Sequence, residues 1–434
     1  MINFLNDLLK FNRSLSGNGN RFTLSYIREL HLPDLDIIDY PCSKDNHQVF
    51  DWNTPDEWNV RNAYIEDEFG NKIVNIKDSY LHVIGYSESV NVNIPFSELD
   101  EHLYSLEDDI NAIPYVTSYY KRRWGFSITH SLREELRKEP NKMYHVYIDS
   151  DFNPDGTITY GELLIKGKSS EEILISTYIC HPQMANDNTS SIVVATNFAK
   201  HLLKEKDHYY SYRFVFVPET IGSLIYIKEN FEHLKKFVKA GLVLSCMGDN
   251  RNYSCVHTPH NNHYIDNVVS TVLNEITSEP KEFSFAHRGS DERQYNAPLI
   301  NIPVCCISRT KFGEFSEYHT SKDVISTQDN SGVVSEAGLE GGLNYIIKIY
   351  ELLEKDEFYK MKTFGEPQLG KYGLYPTVSM KNSTNNVRKY VDIMAYLDGT
   401  LSLRQISSIL NLEYSVVKES VELFVEKGLV EKIK

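Results

Sequence analysis

Four short apolar runs constrain this chain more than anything else in it: "EILISTYI" (172–179), "RFVFVP" (213–218), "AGLVLSC" (240–246) and "IPVCCIS" (302–308). A strand with one wet face alternates apolar and polar residues; these runs barely alternate, so each reads as a strand buried on both faces. Between and after them the period changes to that of helices. Ile192, Val193, Ala195, Phe198, Ala199, Leu202 and Leu203 form one apolar stripe, and further helices are predicted over 223–237, near 264–276 and near 334–354. Strand alternating with helix through short joints predicts a three-layer α/β/α core, its mixed and mostly parallel sheet covered on both faces.

Other stretches have a different texture. Residues 2–12 and 22–31 carry helical spacing. From 57 to 105 apolar and polar residues alternate around turn signals at Phe69-Gly70-Asn71 and Ser87-Glu88-Ser89. That pattern predicts short antiparallel strands, an inserted β-rich domain over 56–129. "YHVYIDSDF" and "GTITYGELLIKG" read as a hairpin at the start of the resumed core, so the core comprises 1–55 and 130–365. "GEPQLGKYGLYPTVS" (365–379), rich in Gly and Pro and without period, reads as a linker. Three helical segments and the strand-like "LVEKI" then give 380–434 the cadence of a winged helix.

Charge narrows the partners. The 434 residues carry a formal net charge of −15, which argues against general binding to nucleic acid or acidic membranes. From Val387 to Lys434 seven basic residues face seven acidic ones, and the recognition-helix segment 413–427 holds four acids against two lysines. A helix of that sign is unsuited to a DNA groove, so this domain reads as a packing, self-association or protein-partner module. No run approaches the roughly 20 apolar residues of a membrane span. The N-terminus is amphipathic and lacks the marks of a secretion signal. Six cysteines without zinc-knuckle or disulfide spacing complete the expectation of a reduced, cytoplasmic protein.

In parallel sheets, sites collect at the carboxyl ends of strands. His181 and Asp187 follow the first apolar run, Glu219 the second and Asp249 the third, and His319 stands in a loop beyond the fourth. Imidazole and carboxylate together suit zinc or a similar divalent ion. A carboxylate as short as Asp187 can be shared between two ions about 3.5–4 Å apart. Arg288, Asp291 and Arg293 in "HRGSDERQYNAP" are candidates to anchor a substrate amine or carboxylate, and Tyr119, Tyr120 and Trp124 to line a pocket from the β-rich insert. Cys180 is expected to point away from its neighbour His181, since consecutive strand residues face opposite ways.

"CHPQMANDN", "PETIGS", "RGSDERQY" and "EYHTSKD" resemble the co-catalytic zinc aminopeptidases. More narrowly, they resemble a bacterial family with an aminopeptidase-like domain, an inserted β domain and a C-terminal winged helix, often linked to polysaccharide-biosynthesis loci. "WNVRNAYIEDEFG", "LHVIGYS" and "PYVTSYYKRRWGFS" extend the likeness over nearly the whole chain. The resemblance implies a metallopeptidase-type hydrolase that cleaves an amide or peptide bond in a small peptide or aminoacyl amide. It implies one or two divalent ions, zinc first, held by His181, Asp187, Glu219 and His319. The chain departs from the pattern at three places. Pro218 replaces the first of two adjacent glutamates, so Glu219 is either ligand or general base, with Glu292 and Glu317 as substitute bases. Ser245 replaces an aspartate, with Asp249 as its stand-in ligand. The histidine-to-aspartate interval is also shortened. An amidohydrolase or deacylase of polysaccharide intermediates, and a non-catalytic metal-binding scaffold, are the alternative readings.

Overall fold

Glu172–Tyr178 buries all seven of its side chains, because it lies inside the central sheet with a parallel strand on either side. The computed structural model describes residues 1–42, 48–205, 207–326, 332–375 and 385–434. Two units emerge, Met1–Asn261 with Leu273–Ile347, and Asn262–Val272 with Lys348–Lys434.

The first unit starts with helices α1 (Ile2–Leu8) and α2 (Asn18–Leu30) and the edge strand β1 (Asp36–Pro41). Strands β2 (Glu57–Glu66), β3 (Lys72–Asn75), β4 (Val90–Pro95) and β5 (Met143–Asn153) follow. They form a separate antiparallel sheet of order β3-β2-β5-β4. The chain then enters the central sheet with β6 (Thr157–Ile165) and β7 (Glu172–Tyr178). Helix α3 (Ser191–Lys204), β8 (Ser211–Val217), α4 (Ile221–Phe237) and β9 (Val238–Leu244) come next. Strands β10 (Ser254–Val256), β11 (Lys281–Phe283) and β12 (Val304–Ser308) complete the sheet, while the residues of helices α5 (Tyr264–Ile276) and α6 (Glu336–Lys355) are divided between the two units. The sheet order is β1-β6-β8-β7-β9-β12-β10-β11. Strands β8, β7, β9 and β12 are mutually parallel, so their carboxyl ends share one edge.

Several expectations shift. Strand β5 does not form a hairpin with β6: it pairs with β2 and β4, whereas β6 pairs with β1 and β8. The insert therefore runs on to Asn153, beyond the boundary expected at 129. Its interior is its own, built on Ala63, Ile65, Val74, Phe96, Phe126, Val146 and Ile148. Leu203, placed on the buried stripe of α3, is 45 % exposed.

The second unit contains β13 (Phe358–Met361), helices α7 (Asn385–Met394), α8 (Leu403–Leu410) and α9 (Tyr414–Glu426), and strands β14 (Asp398–Ser402) and β15 (Val430–Lys432). Strand β13 lies between β14 and β15, so this unit begins before the expected residue 380. Residues 376–384, which include the end of the expected linker, lie outside the described residues. Ile393, Leu403, Ile406, Val417, Val421 and Phe424 fill its core. A capping box between Ser402 and Gln405 starts α8. Glu357 receives Lys432 and Lys418, and Asp356 receives Arg404, so three of the unit's cations are paired internally.

One buried ion network stands in the central sheet. Arg213 on β8 donates from Nε and Nη2 to the two oxygens of Glu172 at 2.6 and 2.8 Å, and from Nη1 to Glu162 at 2.5 Å. Tyr226 on α4 donates to the same Glu162 oxygen at 2.5 Å. Removing the guanidinium would leave two carboxylates with little water to solvate them. Breaking a buried pair from one side typically costs about 3–5 kcal/mol, so Arg213→Ala should lower the stability of the first unit by that order in urea unfolding followed by circular dichroism. A loss below about 1 kcal/mol, as for surface pairs, would show that water reaches the network.

Candidate metal centre

After Tyr178 the chain leaves β7 through Ile179, Cys180 and His181 and winds through Ala185–Ser190 into α3. Every residue from Ala185 to Ser190 is buried, although five of the six are polar. Their partners explain why. Asn186 Oδ1 accepts from Gly248 N at 2.9 Å, Asn188 Oδ1 from Cys246 N at 3.1 Å, and Ser190 Oγ from Met247 N at 2.9 Å. The polar turn thus serves as hydrogen-bonding cover for the backbone that follows β9. From the other side Asp323 accepts the backbone N–H of Asn186 at 2.7 Å and of Asp187 at 2.8 Å. Arg13, 1 % exposed, donates to the carbonyl of His181 at 2.9 Å and to Thr189 Oγ1 at 2.5 Å, tying the N-terminal segment to the same turn.

His181, Asp187 and His319 converge, their ligand atoms all within 4.8 Å of one another. His319 Nε2 lies 2.9 Å from Asp187 Oδ2. Yet both atoms are buried without an aligned hydrogen-bond partner among the described residues. A cation between the imidazoles and the carboxylate would satisfy both, and two nitrogens with one oxygen is a donor set that zinc accepts. Burial depresses His181 to about 4, which keeps its imidazole neutral and available as a ligand at neutral pH. Burial pushes Asp187 up, but His181, His319 and the Tyr178 hydroxyl outweigh it and hold the carboxylate charged, at about 2. Tyrosines surround the group. Tyr115 stands edge-on to both imidazoles at 5.2 Å, Tyr178 edge-on to His181 at 5.1 Å, and Tyr318 stacks on His319 at 3.9 Å.

Glu219, two residues past β8, brings Oε2 to 3.9 Å from His181 Nε2. Burial, with Asp291 and Asp187 adding negative charge, raises its proton affinity well above that of an ordinary glutamate. The turn that carries it is strained: Thr220 has φ +65, a region β-branched residues avoid. Asp291 holds that turn by accepting Thr220 N at 2.7 Å and Ser223 Oγ at 2.8 Å, and Arg293 donates to Thr220 Oγ1 at 2.6 Å. Gln183, Cys246 and His319 also have positive φ, so non-glycine strain gathers around this centre.

The remaining expected residues are placed differently. Both oxygens of Asp249 are engaged, by Thr310 N at 2.8 Å and by Thr310 Oγ1 and Arg251 N at 2.7 and 2.9 Å. Among the described residues Asp249 joins no group of three metal-capable side chains. Glu317 is gripped through both oxygens by Arg251 at 2.7 and 3.0 Å, which holds its carboxyl below the usual range. Glu292 turns Oε1 back onto Gly289 N at 2.9 Å, while burial raises its proton affinity. Arg288 is exposed and rests over Phe285. Tyr120 donates to Asn53 O at 2.6 Å and Trp124 stacks on His102 at 3.5 Å, whereas Tyr119 is exposed. The insert thus reaches the histidines through Tyr115.

Cys180 does not turn away: its Sγ lies 3.8 Å from His181 Nδ1, because strand alternation ends at Tyr178. Burial and the Glu219 carboxylate raise its thiol well above the usual range, which removes it as a nucleophile. Sequence reasoning missed Tyr178, Tyr115, Arg13 and Asp323. Asp323 alone had a signal, at the end of the "HTSKD" motif.

Residues 2–356 match the family described as a domain of unknown function (DUF4910), and residues 357–432 match a winged helix-turn-helix. A Clostridium acetobutylicum protein, described as a candidate polysaccharide biosynthesis protein with aminopeptidase-like domain, is 40 % identical over 373 residues, 86 % of this chain and 82 % of that protein. The crystal structure of a candidate peptidase from the same organism superposes with a TM-score of 0.80 at 35 % identity, covering 99 % of this chain and 95 % of the other. A zinc aminopeptidase from Bacillus subtilis shares the fold at a TM-score of 0.55 and 12 % identity, over 81 % of this chain and 94 % of that one. With an aminopeptidase-like α/β fold, a smaller β sheet within the first unit and a C-terminal winged helix, the chain belongs to the DUF4910 family.

Proposed function

We propose that the chain is a metal-dependent hydrolase that cleaves an amide bond in a small peptide or aminoacyl amide, with His181, Asp187 and His319 as metal ligands. The observation that carries this reading is the meeting of buried His181 and Asp187 with partly exposed His319, a group in which two buried polar atoms are left unsatisfied. A divalent cation, zinc by its donors, would supply Lewis-acid activation of water and of the scissile carbonyl. The protein's own groups do the rest. His181 stays neutral and Asp187 stays charged, so the donors need no proton adjustment at neutral pH. Glu219, whose Oε2 lies 3.9 Å from His181 Nε2, takes the proton from the attacking water and returns it to the leaving nitrogen. Asp291 and Arg293 act on Glu219 by holding its strained turn. Tyr115 and Tyr318 wall the centre and restrict water.

A second reading, a deacylase of amino-sugar intermediates, rests on the polysaccharide-biosynthesis description of the 40 % identical relative. A panel of aminoacyl anilides and N-acyl amino sugars separates the two. If the protein binds no ion, or binds it equally well as His181→Ala, the non-catalytic scaffold stands instead.

Three outcomes are expected. Glu219→Gln should retain the ion and lose about 10²–10⁴-fold in kcat, the usual contribution of general acid–base catalysis, while His181→Ala should lose the ion as measured by inductively coupled plasma mass spectrometry. In metal-free protein the folded His181 titrates near 4 against 6.5 for the ordinary side chain. The unfolded chain therefore binds more protons between those values, and stability should fall as pH drops from 6.5 towards 4. His181→Gln should flatten that slope in urea unfolding measured across the window. The winged helix should bind protein rather than DNA: fluorescence anisotropy with random duplexes should show no affinity that strengthens steeply at low salt.

A further inference from the structure

A co-catalytic pair of ions requires Asp187 to offer one oxygen to each. One of the two is already engaged by a hydrogen-bond donor. Oδ2 faces His319 and lacks an aligned hydrogen bond, but Oδ1 accepts the hydroxyl proton of Tyr178 at 2.6 Å. Tyr178 is 2 % exposed, and its hydroxyl oxygen is approached at 2.8 Å by Ser245 Oγ. The Tyr178 hydroxyl, backed by Ser245, thus stands at Oδ1 and points its proton at a lone pair of the oxygen that a second cation would use.

Ser245 stands just past β9, where the co-catalytic pattern carries an aspartate, so an anionic donor has also been lost there. The stand-in Asp249 has both oxygens engaged by Thr310 and Arg251.

Resting on the hydrolase reading above, we propose that the centre holds a single divalent cation, bound by His181, Asp187 Oδ2 and His319, and that Tyr178 and Ser245 fill the place a second would take. Tyr178 is a positioning residue here: its hydrogen bond orients Asp187 so that Oδ2 faces the histidines. A single cation would have to supply both water activation and carbonyl polarisation, and Glu219 would carry the proton.

The test uses Mn²⁺ added to metal-free full-length protein and read by electron paramagnetic resonance. Two Mn²⁺ sharing Asp187 would be exchange-coupled and spectrally distinct from one. An ion at the separate Cys255–His257–Glu282 group would not be coupled to it, so coupling reports on the shared carboxylate alone. The wild type should bind one uncoupled ion that Asp187→Asn releases. The double variant Tyr178→Phe, Ser245→Asp, which frees Oδ1 and restores the carboxylate, should bind a second ion and show coupling. A coupled pair in the wild type would overturn the single-ion inference and leave the hydrolase reading standing. Absence of any ion released by Asp187→Asn would overturn that reading and the inference with it. A folded double variant that still takes one ion would overturn the role given to Tyr178 and Ser245. Should the double variant not fold, the wild-type spectrum still decides the number of ions.

Discussion

A carboxylate with no solvent exposure must have its charge answered by its surroundings, and around Asp187 much of the molecule is arranged to do so. One oxygen receives the proton of Tyr178 from the end of β7, and the other faces His319 from the loop beyond β12. The backbone N–H groups of Asn186 and Asp187 are taken by Asp323. Arg13 reaches the same turn from near the N-terminus. Segments more than three hundred residues apart in sequence are thereby fastened to one six-residue turn. Burial makes each bond costly to lose, since an unpaired polar group there typically forfeits about 1–3 kcal/mol.

The parts of this arrangement that were legible in the sequence share a physical cause. Strands β7, β8, β9 and β12 lie in mostly apolar runs that barely alternate, because both their faces are covered. Once those strands are recognised, His181, Asp187 and Glu219 follow, since they lie next in the chain and parallel strands end together. The partners of β5 are not legible in the same way, because its alternation, which is that of a half-covered antiparallel sheet, says nothing about which sheet it joins. Pairing partners of that kind are set by tertiary contacts that no local pattern records.

Direction was harder to read than position. Asp249 lies a few residues past β9, as a ligand would, yet its carboxylate turns to Thr310 and Arg251. Tyr178 reads as one more core aromatic at the end of a buried strand, but its hydroxyl is the polar tip that Asp187 needs. Distances along the chain identify which residues arrive at the sheet edge; hydrogen-bond partners, supplied by other loops, decide which way each one points.

The insert is fastened where it touches the centre. Tyr115 N donates to the carbonyl of His319 at 2.8 Å, Ser321 N to Ile113 O at 2.9 Å, and Lys322 pairs with Asp109 at 2.7 Å. Gln183, two residues past His181, accepts from Tyr80 N at 2.6 Å. Each imidazole is therefore flanked by a stitch to the same lobe. Cutting the β lobe away would unhook both histidine loops together, so the two sheets form one mechanical piece.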